Sequence, residues 1–156
     1  MEFGFGLKNS AGFGFGGTPP MGSTPTPEPT FQTTWKTDNP GVSTSTQIQL
    51  PLVNGGTYNF VVDWGDDSTD TITAWDQAEK THTYSIAGTY TVKITGTISG
   101  IRFNNGGDRQ KILTIDSYGP LALGNFTGHF YGCTNLTSTA SDAPIVGNTL
   151  QQSFRS

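Results

Sequence analysis

Apolar and polar residues alternate along short segments between residues 46 and 95, and Gly, Asn or Asp residues bound most of these segments. Alternation with a period of two predicts β-strands that bury one face. Three segments place their apolar side chains on one face: Ile48, Leu50 and Leu52; Tyr58, Phe60, Val62 and Trp64; and Tyr90, Val92 and Ile94. Shorter strands are expected over residues 69–75 and 81–84, and a turn over residues 54–56. Val61 lies opposite the second apolar face, so cover on both faces is expected there. Several short strands between turns predict a β-sandwich.

The composition also favours an all-β fold. Of the 156 residues, 33% are apolar and 13% are charged, whereas Gly occurs 21 times and Thr 25 times. A chain poor in Lys and Glu is a poor candidate for a helical bundle, while Thr, Val, Ile and aromatic residues favour pleated strands. The net charge of −4 and the lack of a basic stripe argue against nucleic-acid binding. No apolar run is long enough to span a membrane, and the single cysteine, Cys133, excludes an internal disulfide.

The first 30 residues differ from the rest of the chain. Residues 3–6 and 13–16 are two copies of a Phe-Gly unit, and residues 18–29 are rich in Thr and Pro. The Thr/Pro stretch predicts an extended, polyproline-like spacer. The Phe-Gly units are either a low-complexity tail or an anchor peptide that becomes ordered on a partner protein, because exposed Phe side chains are a liability in a free monomer. The anchor residues would be Phe3, Phe5, Phe13 and Phe15.

Three segments carry a resemblance to polycystic kidney disease (PKD) domains. Residues 63–68 (DWGDDS), 82–84 (HTY) and 87–92 (AGTYTV) resemble, in the same order, the family segments W-x-F-G-D-G, H-x-Y and A/P-G-x-Y-x-V. The first segment departs from the family, since Trp64 directly precedes Gly65 and Asp67 stands where the family has Gly. The resemblance implies an immunoglobulin-like sandwich over residues 31–103, usually a spacer or adhesion module rather than an enzyme. It also implies structural roles for Trp64, Gly65, Asp66, His82, Tyr84, Gly88 and Tyr90.

Residues 104–156 contain an internal repeat. Leu113-Thr114 matches Leu136-Thr137, and Gly124-Asn125 matches Gly147-Asn148, both at a separation of 23, while Phe130 matches Phe154 at 24. Periods of this length are typical of leucine-rich repeats. Residues 130–137 (FYGCTNLT) resemble the F-x-x-C-x-x-L-x unit of BspA-like surface proteins, which often place a PKD-like module before their repeats. We therefore expect a short repeat stub that packs on the sandwich, on another chain or on further sequence.

The acidic cluster Asp63, Asp66, Asp67 and Asp70 has two interpretations. Several carboxylates on one loop can bind calcium, and Asp side chains can also bond their own backbone in a hairpin turn. The spacing does not fit an EF-hand loop, so calcium is the weaker candidate. In the PKD family the His and the Gly-Asp turn belong to adjacent elements, and the resemblance therefore implies a structural hydrogen bond for His82, with Asp66 as the candidate partner.

No arrangement of nucleophile and base is apparent in the sequence. Cys133 is interpreted as a small buried residue of the repeat core rather than as a nucleophile. No serine-hydrolase elbow, metalloprotease helix or phosphate-binding loop occurs, so we expect neither catalysis nor a cofactor. Four aromatic residues are candidates for stacking on sugars, with packing in the core or between subunits as the alternative: Trp35, Trp75, Tyr118 and Tyr131.

The chain resembles extracellular modules, yet its N-terminus does not read as a secretory signal. A bacteriophage virion protein would reconcile the two observations, because it is made in the cytoplasm and acts outside the cell. We therefore expect a capsid-attached fibre, spike or decoration protein that binds capsid, portal or tail proteins through its arm. Such a protein is expected to be a homo-oligomer and could contact a host surface glycan or protein. The alternative is a fragment of a BspA-like adhesin on a bacterial cell surface.

Overall fold

A computed structural model describes residues 25–146 of the chain. The predicted anchor residues and the repeat matches at residues 147, 148 and 154 lie outside this range. Within it there is no α-helix, only a short 3-10 helix, Ala78–Lys80, and no helix there is long and apolar enough to cross a membrane. The strands are β1 (Thr30–Lys36), β2 (Gln47–Gln49), β3 (Leu52–Asp63), β4 (Thr69–Ile72), β5 (Thr81–Thr83), β6 (Thr89–Ile101), β7 (Ile112–Ser117), β8 (Leu121–Gly124), β9 (Thr137–Ser138) and β10 (Ile145–Val146).

The larger of two sheets has eight strands and is organised around the long strand β6. On one side, β6 pairs antiparallel with β3, which pairs in turn with β4. On its other side, β6 pairs first with β1 and then, nearer its C-terminal end, in parallel with β8. The sheet continues from β1 to β7 and β9, and from β8 to β10. The sheet contains both kinds of pair because β7, β8, β9 and β10 run in the same direction as β6, whereas β1 and β3 run in the opposite direction.

The second sheet contains only β2 and β5, but it contributes to the same hydrophobic core. Ile48 of β2 is fully buried, and so are Val62 of β3 and Val92 of β6. Burying an aliphatic side chain of this size contributes about 1.5–3 kcal/mol. The chain is therefore all-β, as the composition predicts, and its two sheets share one core in a manner consistent with a β-sandwich.

The predicted inward faces are largely confirmed. Ile48, Leu50 and Leu52 are buried, as are the four residues from Tyr58 to Trp64 that share a face. Two predictions are wrong. Residues 54–56 do not form a separate turn, because they lie within β3 at an irregularity in its pairing with β6. Val61 is not covered, since 46% of its surface is exposed on the outer face of the sheet.

The repeat found in the sequence corresponds to two stacked coils of chain. Thr137 pairs in parallel with Thr114, and Ile145 pairs in parallel with Ala122, both at a separation of 23 residues. The Asp142 carboxylate also accepts the backbone N–H of Gly119, 23 residues earlier, at 2.8 Å. The sequence period is therefore the spacing at which one coil lies on the next.

The coils are not detached from the rest of the molecule. Strand β7 of the first coil pairs antiparallel with β1, and β8 pairs with β6, so both belong to the large sheet. The buried ring of His129 lies against the backbone oxygens of Ile101 and Phe126 and links the loop after β8 to the end of β6. The division of the chain at residues 103 and 104 stays a prediction, but strands from both sides of that point form one sheet.

Candidate functional site

The turn between β3 and β4, residues 64–68, contains Trp64, Gly65 and Asp66 of the first PKD-like segment. Gly65 has a φ of 82°, and a Cβ atom at this position would collide with the backbone oxygen of Thr91 on β6. Only glycine fits both requirements without strain. The turn closes through the backbone N–H of Trp64, which donates to the carbonyl oxygen of Ser68 at 3.1 Å. This part of the motif is therefore explained by backbone geometry.

Three carboxylates of the acidic cluster bond groups of the turn or its flanking residues, whereas Asp67 is exposed and has a φ of 69°. Asp63 accepts the N–H of Gly65 at 2.9 Å, and Asp70 accepts the indole N–H of Trp64 at 2.9 Å. Asp66 accepts both the backbone N–H and the hydroxyl of Ser68. Within residues 25–146, no group of three or more His, Cys, Asp or Glu side chains is placed to hold a metal ion. These bonds support the hairpin-turn interpretation over the calcium site.

His82 of β5 lies across the turn and pairs with Asp66, as predicted. Its Nε2 atom is 2.9 Å from Asp66 Oδ2, and its ring stacks on Trp64 with the centroids 4.7 Å apart and the planes within 9°. Burial acts to raise the pKa of Asp66, but hydrogen bonds from Ser68 and His82 outweigh it and hold that pKa below its usual range. We call Asp66, Ser68 and His82 the Asp-His clamp, because they join the β3–β4 turn to β5.

Tyr84 and Tyr90 complete the arrangement around the clamp. The Tyr84 hydroxyl donates to the backbone oxygen of Trp64 at 2.9 Å, and burial raises the pKa of Tyr84. The Tyr84 ring stacks on Tyr90 with the centroids 3.8 Å apart. Gly88 donates its N–H to the Thr37 hydroxyl at 2.9 Å, which ties this loop to the end of β1. The predicted motif residues between Trp64 and Tyr90 are therefore neighbours in space.

The geometry of the clamp differs from that of a catalytic triad. In a triad, the His uses one ring nitrogen for the carboxylate and the other for the serine. Here Nε2 of His82 faces both Asp66, at 2.9 Å, and Ser68 Oγ, at 3.3 Å, and the Ser68 hydroxyl also bonds Asp66. The serine is thus bonded to the acid itself, and the three side chains connect the β3–β4 turn to β5.

Cys133 packs against the hydrophobic core, but it is half-buried rather than fully buried as expected. Burial raises the pKa of its thiol to about 12, although the nearby Arg109 acts in the opposite direction. At neutral pH the side chain is therefore a thiol rather than the nucleophilic thiolate. Leu136, three residues later, packs against the same core.

The aromatic residues proposed for sugar stacking separate into two groups. Trp35 and Tyr118 are buried in the core, so this interpretation is wrong for both. Trp75 is 38% exposed, but Lys80 Nζ lies over its ring, 5.3 Å from the centroid. Tyr131 is 39% exposed, on the turn that precedes Cys133. The four residues do not form one aromatic platform.

A buried polar centre was missed by sequence reasoning. Asp108 is almost completely buried, and it accepts the backbone N–H groups of Val42, Ser43 and Gln49 at 2.7–3.0 Å, as well as the Ser43 hydroxyl. These residues lie about 60 positions earlier in the chain, in the loop between β1 and β2 and in β2 itself. Asp108 ends the Gly-rich stretch 104–108, whose composition predicts a turn, and nothing in the local sequence indicates that its side chain is buried.

Lys111 is the second member of this centre. Its fully buried ammonium group donates to the carbonyl oxygens of Ser43, Thr44 and Gln47 at 2.7–3.2 Å, and to the Ser43 hydroxyl at 2.8 Å. Burial lowers the pKa of Lys111, and the charges of Asp108 and Asp38 act against that shift. Because every partner of the ammonium group is an acceptor, the contacts favour a structural cation over a general base. We call Asp108 and Lys111 the buried ion centre.

Comparisons with known proteins returned no match to a family model, to a curated protein or to a solved structure.

Proposed function

We propose that this chain is a non-enzymatic structural protein of a bacteriophage particle, namely a capsid-attached fibre, spike or decoration protein. Residues 1–17 would anchor it to capsid, portal or tail proteins, and the Thr/Pro stretch would serve as a spacer. The described residues would form the displayed part, a PKD-like immunoglobulin sandwich followed by the start of BspA-like leucine-rich repeats. In this function the protein acts on the outer face of the virion as a homo-oligomer, and its surface is available to a host glycan or protein.

The stacked coils carry this proposal. Parallel pairs at 23-residue spacing join β7 to β9 and β8 to β10, and the first coil is part of the sandwich sheet. Repeat architectures of this kind transmit order from one unit to the next and present extended surfaces. A rigid domain continued by surface repeats suits display and adhesion better than a reaction that needs a deep cleft.

The Asp-His clamp supports the PKD-like part of the proposal. The three family-like segments, which are up to 29 residues apart in the chain, meet around Trp64, His82 and Tyr90. Their polar atoms bond one another or the backbone, as at Asp66 and Tyr84. The motif thus has a structural explanation that requires neither substrate nor metal, which suits a spacer or adhesion module.

The test measures how much of the protein is bound to phage particles. Phage is purified from a bacterial strain that produces this protein, and the particle proteins are quantified by mass spectrometry. The wild type is compared with a variant in which Phe3, Phe5, Phe13 and Phe15 are all changed to Ser. We expect the variant to stay folded and its particle-bound amount to fall by at least about tenfold, because losing several aromatic anchors costs more than about 1.4 kcal/mol of binding. Deleting residues 1–17 should abolish incorporation.

A matched control carries four substitutions in the spacer: Thr18→Ser, Met21→Ser, Thr24→Ser and Thr26→Ser. It should be incorporated like the wild type. Normal incorporation of the Phe variant would contradict the anchor, and recovery of the wild-type protein in the cell-wall fraction instead of particles would support the surface adhesin.

A further inference from the structure

Among residues 25–146, the stack of coils ends in an edge that no described strand covers. Strands β9 and β10 are the last strands on their two branches of the sheet, and no other strand among residues 25–146 pairs with their outer sides. The side chains along these two strands are uncharged, and Ile145 and Val146 are 59% and 49% exposed. Proteins normally protect such an edge with charges, proline or a covering segment. We call the outer sides of β9 and β10 the open edge.

The N-terminal arm leaves the sheet close to this edge. Thr30, the first residue of β1, pairs with Thr95 of β6. On the same side of β6, Ile98 pairs with Leu121, the first residue of β8. The chain before Thr30 therefore departs where β8 begins, and a Cβ on Gly119 would collide with the Thr30 backbone. Asp142 of the last coil bonds the N–H of Gly119. The arm thus emerges one coil away from the end of the stack.

The spacer is long enough to bring the Phe-Gly units to the open edge. Residues 25–29 are exposed and outside any strand. The twelve residues 18–29 span about 37 Å at the polyproline rise of about 3.1 Å per residue. A strand added beyond β9 lies three strand spacings from β1, about 14 Å. An intramolecular contact is therefore within reach, and the short tether favours it over a contact between molecules.

The two Phe-Gly units also match the two strands of the edge in spacing. Six residues, 7–12, separate the units at 3–6 and 13–16, and six residues, 139–144, separate β9 from β10. Alternating Phe and Gly places Phe on one face of an extended strand and leaves the backbone accessible for close pairing. An extended segment with side chains on alternate positions is the usual partner of an exposed strand edge.

We propose that, in the free protein, residues 3–6 pair with the outer side of β9 and residues 13–16 with that of β10 in the same molecule. The arm then leaves this edge when the protein joins a particle. This inference rests on the proposed anchoring function and adds its regulation: the edge stores the arm, which keeps the Phe side chains and the edge from promoting association before assembly.

Hydrogen–deuterium exchange of the full chain tests the proposal, read by mass spectrometry on peptides covering residues 134–146. We expect these peptides to exchange at least about tenfold more slowly in the wild type than in the variant with the four Phe residues changed to Ser. The spacer variant with Ser at positions 18, 21, 24 and 26 is the matched control and should exchange like the wild type. Thermal unfolding of each variant verifies that the described domain stays folded.

Each other outcome overturns the proposal in a defined way. Equal exchange in all three proteins shows that the arm does not cover the edge. Protection that survives the Phe substitutions but disappears when the chain ends at residue 146 assigns the edge to the C-terminal segment. Protection that declines on dilution, together with a dimer in sedimentation, assigns it to a second copy.

Particle incorporation is measured separately, so the two proposals can fail independently. A Phe variant that loses incorporation but exchanges like the wild type keeps the anchor and removes the stored arm. A Phe variant that exchanges faster but is incorporated normally supports the stored arm and contradicts the anchor.

Discussion

Asp66 and Asp108 both fasten a loop to a strand, but they do so in different surroundings. Asp66 belongs to the Asp-His clamp, where a quarter of its side chain is exposed and its partners are a hydroxyl, a backbone N–H and a His ring. Asp108 belongs to the buried ion centre, where it accepts four hydrogen bonds and is almost inaccessible to water. Water can replace the partners of the first residue but not those of the second. The two aspartates should therefore differ greatly in what their removal costs.

The largest effect is expected for Asp108→Asn. The amide nitrogen of Asn would face backbone N–H groups that now donate to the carboxylate, and Lys111 would lose a negative charge that acts to raise its pKa. A buried donor left without its acceptor costs about 1–3 kcal/mol, and several such donors are affected here, so we expect a total of about 3–5 kcal/mol. Urea unfolding followed by fluorescence should show this loss in the free energy of unfolding. Asp116→Asn on β7 is the control, and an equal loss in both variants would refute a special role for the buried position.

A smaller loss is expected for Lys111→Met. The Met side chain has a similar length and is apolar, but it leaves the carbonyl oxygens of Ser43, Thr44 and Gln47 without their donor. Each unsatisfied buried group costs about 1–3 kcal/mol, and entry of water recovers part of that cost. We expect about 2–3 kcal/mol in the same unfolding experiment. A variant as stable as the wild type would mean that the ammonium group contributes no net stability.

The smallest loss is expected for Asp66→Asn, about 1 kcal/mol, because its bonds are partly exposed. The sign of the pH dependence follows from the lowered pKa of Asp66 in the folded state. The stabilisation is present above the unfolded-state pKa of about 4 and disappears as the pH falls through the lower folded-state value. The free energies of unfolding of wild type and variant should therefore differ at pH 6, and the difference should shrink as the pH falls below about 4. A constant difference across this range would exclude the carboxylate as its source.

The bond between His82 and Asp66 in the clamp was expected only from the resemblance to PKD domains, whereas the inward face of β3 follows from the local pattern. The turn needs Gly65 for its backbone, and the alternation from Tyr58 to Trp64 fixes which side chains point inward. The 23-residue period likewise predicts which residues of the coils become neighbours, since stacking preserves the spacing of the repeat.

The buried ion centre could not be predicted in the same way. Asp108 and Lys111 bond residues 42–49, and no period or motif connects segments about 60 residues apart. The exposure of Val61 and the continuation of β3 through residues 54–56 also depend on what packs on the finished sheet. Local pattern therefore specifies the buried faces of β2 and β3, whereas β1 and the long-range polar contacts are specified only by the assembled fold.

The position of β1 between β6 and β7 has a mechanical consequence. A tether that pulls on Thr30 along the strand loads two rows of backbone hydrogen bonds at once, because β1 is paired on both sides over most of its length. These bonds run perpendicular to antiparallel strands, so such a pull shears them together instead of opening them one by one. A domain held by its N-terminal arm would thus bear tension through the middle of its sheet, where separation demands the simultaneous loss of many bonds.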